Sequence, residues 1–489
     1  MESRDPIIGK YILDSLSIGM YNHPLMLIRE YIQNSADAID NVVKERLITT
    51  DDAEIGIKID GLRKCLTISD NGSGVPFGRA WNILHDIGNS KKKYEESRGF
   101  RGIGRLGGLG YCKILQFKTK AFQEDKVSIS SWDCEKLGSL IKDNNEFNTQ
   151  KILKDVVEFR CQKYEGDLVD HFFEVKMFDL HSSRDILFNV PLVKAYLSEV
   201  APVPFNHNSF KYAEKIEYEI RKRVPNYQTY NIYVNGEKIF KPYTDLIYLR
   251  GDKKDKIQDV DFYVLSNGVG PLAFGWIART DLLGTIAPFS HMDGLRIRKD
   301  NILIGNKDLL SEFYRETRFN NYLVGEIHTI DTKLIPNSRR DDFEDNQQRD
   351  ELYDSFIKSV GLPFSKKIRN ISLERSKQRA KDIDKEIINS AKKIYQMGYF
   401  SEQQRKKIVQ GLLDMLKRNT YESEAVDLLE KVKKAPHYLD RTRKHMRKQK
   451  KRELEFIFDI IYKKATNKND AEKTIIEILD SLHISGYIR

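Results

Sequence analysis

Glu30, Asn34 and Asp37 stand in the run Glu30-Tyr-Ile-Gln-Asn34-Ser-Ala-Asp37-Ala38. At about 100° per helical residue the three fall within about 60° of one another and share one helix face. A carboxylate, an amide and a second carboxylate among small residues make a poor core stripe and a good wall for a polar ligand. The amide oxygen of Asn34 suits Mg²⁺, which prefers hard oxygen donors. Glu30, one turn away, could accept the proton of a water aimed at a phosphate. Taken alone, the same run also fits an exposed helix with solvated charges.

A second group is Asp70-Asn-Gly72-Ser-Gly74-Val-Pro76, at the end of an alternating segment. A strand-end carboxylate could accept the exocyclic amine of adenine, and glycines let backbone approach a base closely; ordinary turns use the same residues. A third is Ser90-Lys91-Lys-Lys followed by Gly99-Phe-Arg-Gly102-Ile-Gly104-Arg-Leu-Gly107-Gly108-Leu-Gly110. Glycines so spaced expose backbone N–H groups to phosphate, above all where a helix starts. The run does not follow the first strand of a βαβ unit with a downstream ribose-binding acid, which disfavours a dinucleotide fold, and no GxxxxGK[ST] string is present.

The elements that must position these groups follow from periodicity. A helix is predicted over 24–47, with apolar Leu25, Leu27, Ile28, Tyr31, Ile32, Ile39 and Val43 and no internal Gly or Pro. Two alternating segments flank Asp60-Gly61, a hairpin dipeptide. Residues 86–110 read as a long loop, followed by strands over 113–122, 126–132 and 171–180. Helical stretches fill 181–230, a second α/β segment runs from 231 to about 345, and only helices follow residue 350. The expected fold class is α+β, in three domains: 1–185, 186–348 with a helical linker at its start, and a basic helical 349–489.

Composition narrows the function classes. The chain has 489 residues, 40% hydrophobic and 31% charged, as in a globular protein. No apolar run approaches the roughly 18–20 residues of a membrane span, and the N-terminal residues lack the pattern of a signal peptide. Cys65, Cys112, Cys134 and Cys161 are scattered, without metal-like spacing, and read as ordinary buried thiols of a reducing, cytoplasmic compartment. Net charge is +10, divided as −3 over residues 1–360 and +13 over 361–489. Within the tail Arg441, Arg443, Lys444, Arg447, Lys448, Lys450, Lys451 and Arg452 crowd into twelve positions, a candidate nucleic-acid contact or a solvated or protein-binding helix face. The run has no interleaved aromatics for base stacking.

Taken in order, the acid–amide helix, the strand-end Asp-x-Gly-x-Gly and the glycine-rich run resemble the GHKL superfamily of gyrases, heat-shock chaperones, histidine kinases and MutL proteins, over residues 1 to about 180. The resemblance implies a Bergerat-type α/β sandwich that binds ATP. It implies Glu30 as general base, Asn34 as Mg²⁺ ligand and Asp70 as adenine acceptor. Gly72, Gly74, Gly99, Gly102 and Gly104 become pocket and lid glycines, and Asp37 helps shape the pocket. Lys91 looks like the lysine of the Ser-Lys pair in the topoisomerase and MutL branch, which reaches phosphate or is solvated. One departure is that the strand at 171–180 has no Thr after a Gly, where many members carry a hydroxyl near the base.

Only 29 residues precede Glu30, which leaves no room for a kinase phosphoacceptor helix pair and points to a hydrolase. The string Ile335-Pro336-Asn337-Ser338-Arg339-Arg340-Asp341 resembles the chaperone branch's segment whose arginine senses γ-phosphate; Arg339 and Arg340 both qualify, with Arg340 preferred. The expected function is Mg²⁺-dependent ATP hydrolysis that gates closure of a homodimer, in a chaperone-like ATPase acting on a protein client without a membrane. The alternative is an ATP-gated nucleic-acid clamp of the MORC or MutL kind, in genome defence or repair; antiviral (phage) defence is what the resemblance of the whole chain to bacterial chaperone-like ATPases would allow. A structural, non-hydrolysing role is the third reading.

Overall fold

The computed structural model describes residues 23–87, 104–143, 149–418, 421–438, 440 and 448–484. It divides into two compact units, Met1–Ile368 and Arg369–Arg489.

Helix α1 (Leu25–Lys44) forms where the apolar period is unbroken, and buries Leu25, Leu27, Ile28, Tyr31, Ile32, Ile39 and Val42. Arg29, Gln33, Ser35 and Asp37 are buried as well, so the helix is enclosed on more than the single face that amphipathicity alone would bury. Strands β1 (Glu54–Asp60) and β2 (Cys65–Asp70) pair antiparallel from Asp60↔Cys65. The turn expected at Asp60-Gly61 is therefore a four-residue loop, 61–64, closed by Arg63 N–H donating to Asp60 Oδ1 (3.0 Å) and by Lys64 at φ +47.

Helix α2 (Phe77–His85) and a 3₁₀ turn (Gly104–Gly110) precede β3 (Cys112–Lys120) and β4 (Lys126–Asp133). Then come β5 (Val157–Lys163), β6 (Phe172–Leu180) and helix α3 (Val190–Val200). With β7 (Asn231–Val234) and β8 (Glu237–Lys238) the strands make one eight-stranded sheet, ordered β5-β4-β3-β6-β2-β1-β7-β8. The segment 231–240, read from sequence as the start of the second α/β part, extends the first sheet instead: β7 lies parallel to β1, Glu54 opposite Asn231. Parallel neighbours need a long crossover, and the helices between 181 and 230 supply it. Three cysteines are buried as expected, whereas Cys161 is exposed on the edge strand β5.

After a short pair, β9 (Leu246–Tyr248) and β10 (Lys254–Lys256), the second sheet contains β11 (Asp259–Ser266), β12 (Pro271–Arg279), β13 (Gly294–Lys299), β14 (Ile302–Leu303) and β15 (Val324–Thr329), ordered β11-β12-β15-β13-β14. Its core includes Phe205, Phe210, Tyr243 and Trp276, with the rings of Tyr243 and Trp276 5.0 Å apart. Beside this core is a buried charge cluster. Glu326 on β15 accepts from Lys241 Nζ (2.8 Å), Tyr243 OH (3.1 Å) and Arg298 Nε (2.6 Å). Burial and the neighbouring Arg298 push Lys241 down to about 7, while the surrounding cations hold Glu326 well below the usual carboxylate range against its burial. Arg298 also donates to Glu199 O (2.6 Å), a carbonyl at the C-terminal end of α3, where a cation is favoured. The Glu199 carboxylate accepts in turn from Arg296 (2.8 Å) and meets His291 Nδ1 (2.7 Å).

The second unit is helical, as the sequence predicts. After Leu362–Met397, a helix within which the division between units falls, come Glu402–Lys417, Glu422–Lys434, Lys448–Lys464 and Lys468–Ile484. Its apolar clusters centre on Ile394, Ile408, Leu412 and Leu428, and on Phe400, Phe458 and Ile475.

Because Glu326 pairs with Lys241 and Arg298 in a fully buried site, Glu326→Ala leaves a buried guanidinium without its carboxylate. We expect a loss of about 3–5 kcal/mol in unfolding free energy, read as a lower denaturant midpoint. A wild-type midpoint would mean the cluster is not held as a charged network.

Candidate active site

β2 ends at Asp70, a buried carboxylate at the end of its strand. Ser35 of α1 donates to its Oδ2 (2.6 Å), and Gly72 N–H donates to Oδ1 (2.9 Å). Burial raises the Asp70 carboxyl to about 6, against the lowering effect of these two bonds. His171 Nδ1 lies 2.7 Å from Gly72 O on the far side of the turn. Gly74 sits at φ +59, and a Cβ there would meet Lys120 O at 2.0 Å, so the sequence has no choice but glycine. Thr119 on β3 completes the frame: its hydroxyl accepts from Val75 N–H (2.8 Å) and donates to Phe172 O (3.0 Å).

Asp70, Gly72 and Gly74 were legible in the sequence; Ser35, Thr119 and His171 were not singled out. The strand at 171–180 has no Thr after a Gly. A threonine hydroxyl instead reaches this turn from the neighbouring strand, a pairing that only the β3/β6 register reveals. Ser35 carries a signal in hindsight: a small polar residue beside Asn34, on a helix whose other short residues are alanines.

Glu30 lies against the glycine run. A Cβ at Gly104 would fall 2.1 Å from Glu30 Oε1, so the carboxylate packs directly on this backbone. From the other side comes Arg340, whose Nε is 3.9 Å from Glu30 Oε2; both side chains are largely enclosed, 13% and 16% exposed. Burial lowers the Arg340 guanidinium, with Glu30 acting in the opposite direction. Arg340 adopts φ +55, a conformation costly for a side-chain-bearing residue, held by Gly305 N–H donating to its carbonyl (2.8 Å) and by its own N–H on Asn337 O (3.1 Å). Arg29, beside Glu30, donates to Arg339 O (3.2 Å), while the Arg339 residue itself is exposed. Of the two arginines, the geometry thus brings Arg340 to Glu30.

Two more residues secure the run. Tyr31 OH donates to Arg105 O (2.9 Å) and accepts from Gly108 N–H (3.2 Å). The Arg105 guanidinium, which burial lowers to about 10, donates to Asp86 O and to Leu84 O at the end of α2. Neither residue was picked out from sequence.

Asn34 is half-buried and its side chain makes no hydrogen bond among the described residues, which leaves its amide oxygen available. Asp37 is buried, with its charge felt at Arg340. Among the described residues no group of three His, Cys, Asp or Glu could hold a metal by itself. One amide oxygen fits Mg²⁺ carried on a nucleotide, because that ion keeps waters and phosphate oxygens as its remaining ligands. Lys91, Gly99 and Gly102 lie outside the described residues, as do Arg441, Arg443, Lys444 and Arg447. Lys448 opens a helix on which Lys450 and Arg452 are exposed and Lys451 pairs with Asp440.

Asp70→Asn can keep both bonds, its oxygen accepting from Gly72 and its amide donating to Ser35 Oγ. Folded Asp70 holds its proton more tightly than an unfolded Asp, so its charge costs stability in full above about pH 6 and not at all well below pH 4. The variant should therefore match or exceed wild-type melting temperature at pH 8, with the difference vanishing by pH 4. A variant less stable by the same margin at both pH values would contradict this.

No helix among the described residues is long and apolar enough to cross a membrane. The sequence profile described as histidine kinase-, DNA gyrase B-, and HSP90-like ATPase matches residues 23–161. The chain is 33% identical over 135 residues to the chaperone protein HtpG of Clostridium perfringens, covering 24% of this chain and 22% of that protein. It is 25% identical over 293 residues to HtpG of Fusobacterium nucleatum, covering 51% of this chain and 48% of the relative. HtpG of Clostridium botulinum is 31% identical over 118 residues, 22% of this chain and 19% of the relative. The chain thus spans from about a fifth to about half the length of these relatives. The profile match includes α1, with Glu30 and Asn34, and the Asp70 turn: over residues 23–161 the chain matches the family of histidine kinase-, DNA gyrase B-, and HSP90-like ATPases.

Proposed function

We propose that the chain hydrolyses ATP, with Glu30 as general base and Arg340 as the γ-phosphate sensor, and that the cycle drives a chaperone-like change acting on a protein client. The observation that carries the reading is the Glu30 carboxylate held between the Gly104 backbone and the Arg340 guanidinium, which arrives from 310 positions away. A base, a backbone that can face phosphate and an always-charged fork converge there, as hydrolysis of a phosphoanhydride requires. The HtpG relatives favour a protein client.

In this reading Asp70 accepts the exocyclic amine of adenine and the turn 72–74 lies along the base. Asn34 holds Mg²⁺, which when bound neutralises phosphate charge. Glu30 takes the proton from the attacking water, whose oxygen displaces ADP from the γ-phosphorus. Arg340, paired with Glu30 without nucleotide, exchanges that carboxylate for the more highly charged γ-phosphate and leaves Glu30 free to act as base. Because Arg340 follows the second sheet in sequence, γ-phosphate capture pulls on that sheet, which serves as transducer and closes a homodimer.

A nucleic-acid clamp is the second reading, favoured by Lys450 and Arg452 exposed on the basic helix. Duplex DNA that stimulates the ATPase with steep salt dependence would favour it; stimulation by an unfolded protein and indifference to DNA favours the client reading.

Glu30→Gln keeps size and polarity but cannot take a proton. The expected outcome is ATP binding near wild type by calorimetry and phosphate release lower by about 10²–10⁴-fold. Wild-type turnover in this variant would remove Glu30 from the role.

A further inference from the structure

We propose that Tyr31 is the positioning residue for Glu30, its hydroxyl spanning one turn of the glycine run and so setting where Gly104 meets the carboxylate; this rests on the hydrolysis proposed above. Three observations converge. The ring is buried, and its hydroxyl makes two bonds, donating to Arg105 O (2.9 Å) and accepting from Gly108 N–H (3.2 Å). Residues 105 and 108 stand at i and i+3 of one 3₁₀ turn, so the hydroxyl holds both ends of that turn at once. The same turn begins at Gly104, where even a Cβ would overlap the Glu30 carboxylate. Consecutive residues of α1 therefore hold two points of one turn: Glu30 touches its first residue, and Tyr31 fixes its middle.

The chemistry calls for a phenol. Only a group that donates and accepts at once can satisfy a carbonyl and an N–H together. No side chain fits at position 108, where a Cβ would lie 2.8 Å from the Tyr31 oxygen, so the approach is confined to glycine. On its other side the turn is tied to the end of α2 by Arg105. Clamped from both sides, it has little freedom to move relative to Glu30. Remove the hydroxyl and the turn loses both of its bonds to Tyr31, which lets Gly104 shift relative to Glu30. The distance between base and backbone then changes.

The test is Tyr31→Phe in the full chain, alone and with Glu30→Gln, with ATP and Mg²⁺. We expect kcat to fall about tenfold, the size of one displaced hydrogen-bonded contact. The calorimetric Kd for ATP should stay within about twofold, since ground-state binding is not what the hydroxyl sets. In the Glu30→Gln background Tyr31→Phe should cost nothing further, because the tyrosine acts through the carboxylate. A crystal structure of Tyr31→Phe should have Gly104 displaced from Glu30. Wild-type kcat, losses that multiply in the double variant, or an unmoved Gly104 would each overturn the inference. If wild-type protein fails to hydrolyse ATP, the proposed function fails, and the crystal comparison still decides whether the hydroxyl sets the Glu30 contact.

Discussion

The arrangement of the first unit depends on one guanidinium. Arg298 reaches from β13 to Glu326 on β15 and also to the carbonyl of Glu199 at the end of α3. It thereby joins the second sheet to a helix that packs beside α1. Since the Arg340 loop follows that sheet, the approach of Arg340 to Glu30 is only as well defined as this buried junction. A fully buried cation is costly unless it is paired and hydrogen-bonded. The protein meets that condition with a carboxylate and the carbonyls of Glu199 and Asn301, acceptors that fix direction as well as charge.

The same economy governs the site. Asp70 is kept as a carboxylate in a place that disfavours charge, with two donors that only partly offset burial. Arg340 is held in a left-handed conformation that a glycine would adopt more cheaply. Gly104 leaves no room for a side chain between backbone and Glu30. Each feature works against local stability at a point where a ligand would supply what is missing, and costs of this kind collect at functional sites.

The sheet edge teaches a related lesson. Residues 231–238 belong to the first sheet although the chain has by then passed through two helices. Periodicity identifies a strand and its rough limits; it does not say which sheet receives it, because pairing is decided by what edge the crossover can reach. The Asp60-Gly61 hairpin differs for a more local reason. A left-handed Lys64 and the Asp60 side chain together allow a longer loop than the dipeptide suggests.

By itself the sequence determined which groups are available and which elements carry them. The spacing of Glu30, Asn34 and Asp37 sets one helix face, Asp70 must end a strand, and the apolar periods require a mixed front and a helical tail. Those properties are local, fixed by 3.6- and 2-residue repeats within one stretch of chain. Only the tertiary structure decided that Arg340 rather than Arg339 faces Glu30, that Thr119 and His171 support the Asp70 turn, and that Tyr31 bridges residues 105 and 108. Each of these joins atoms far apart in the chain. Such contacts are chosen by packing and strand register, and neighbouring letters carry no record of them.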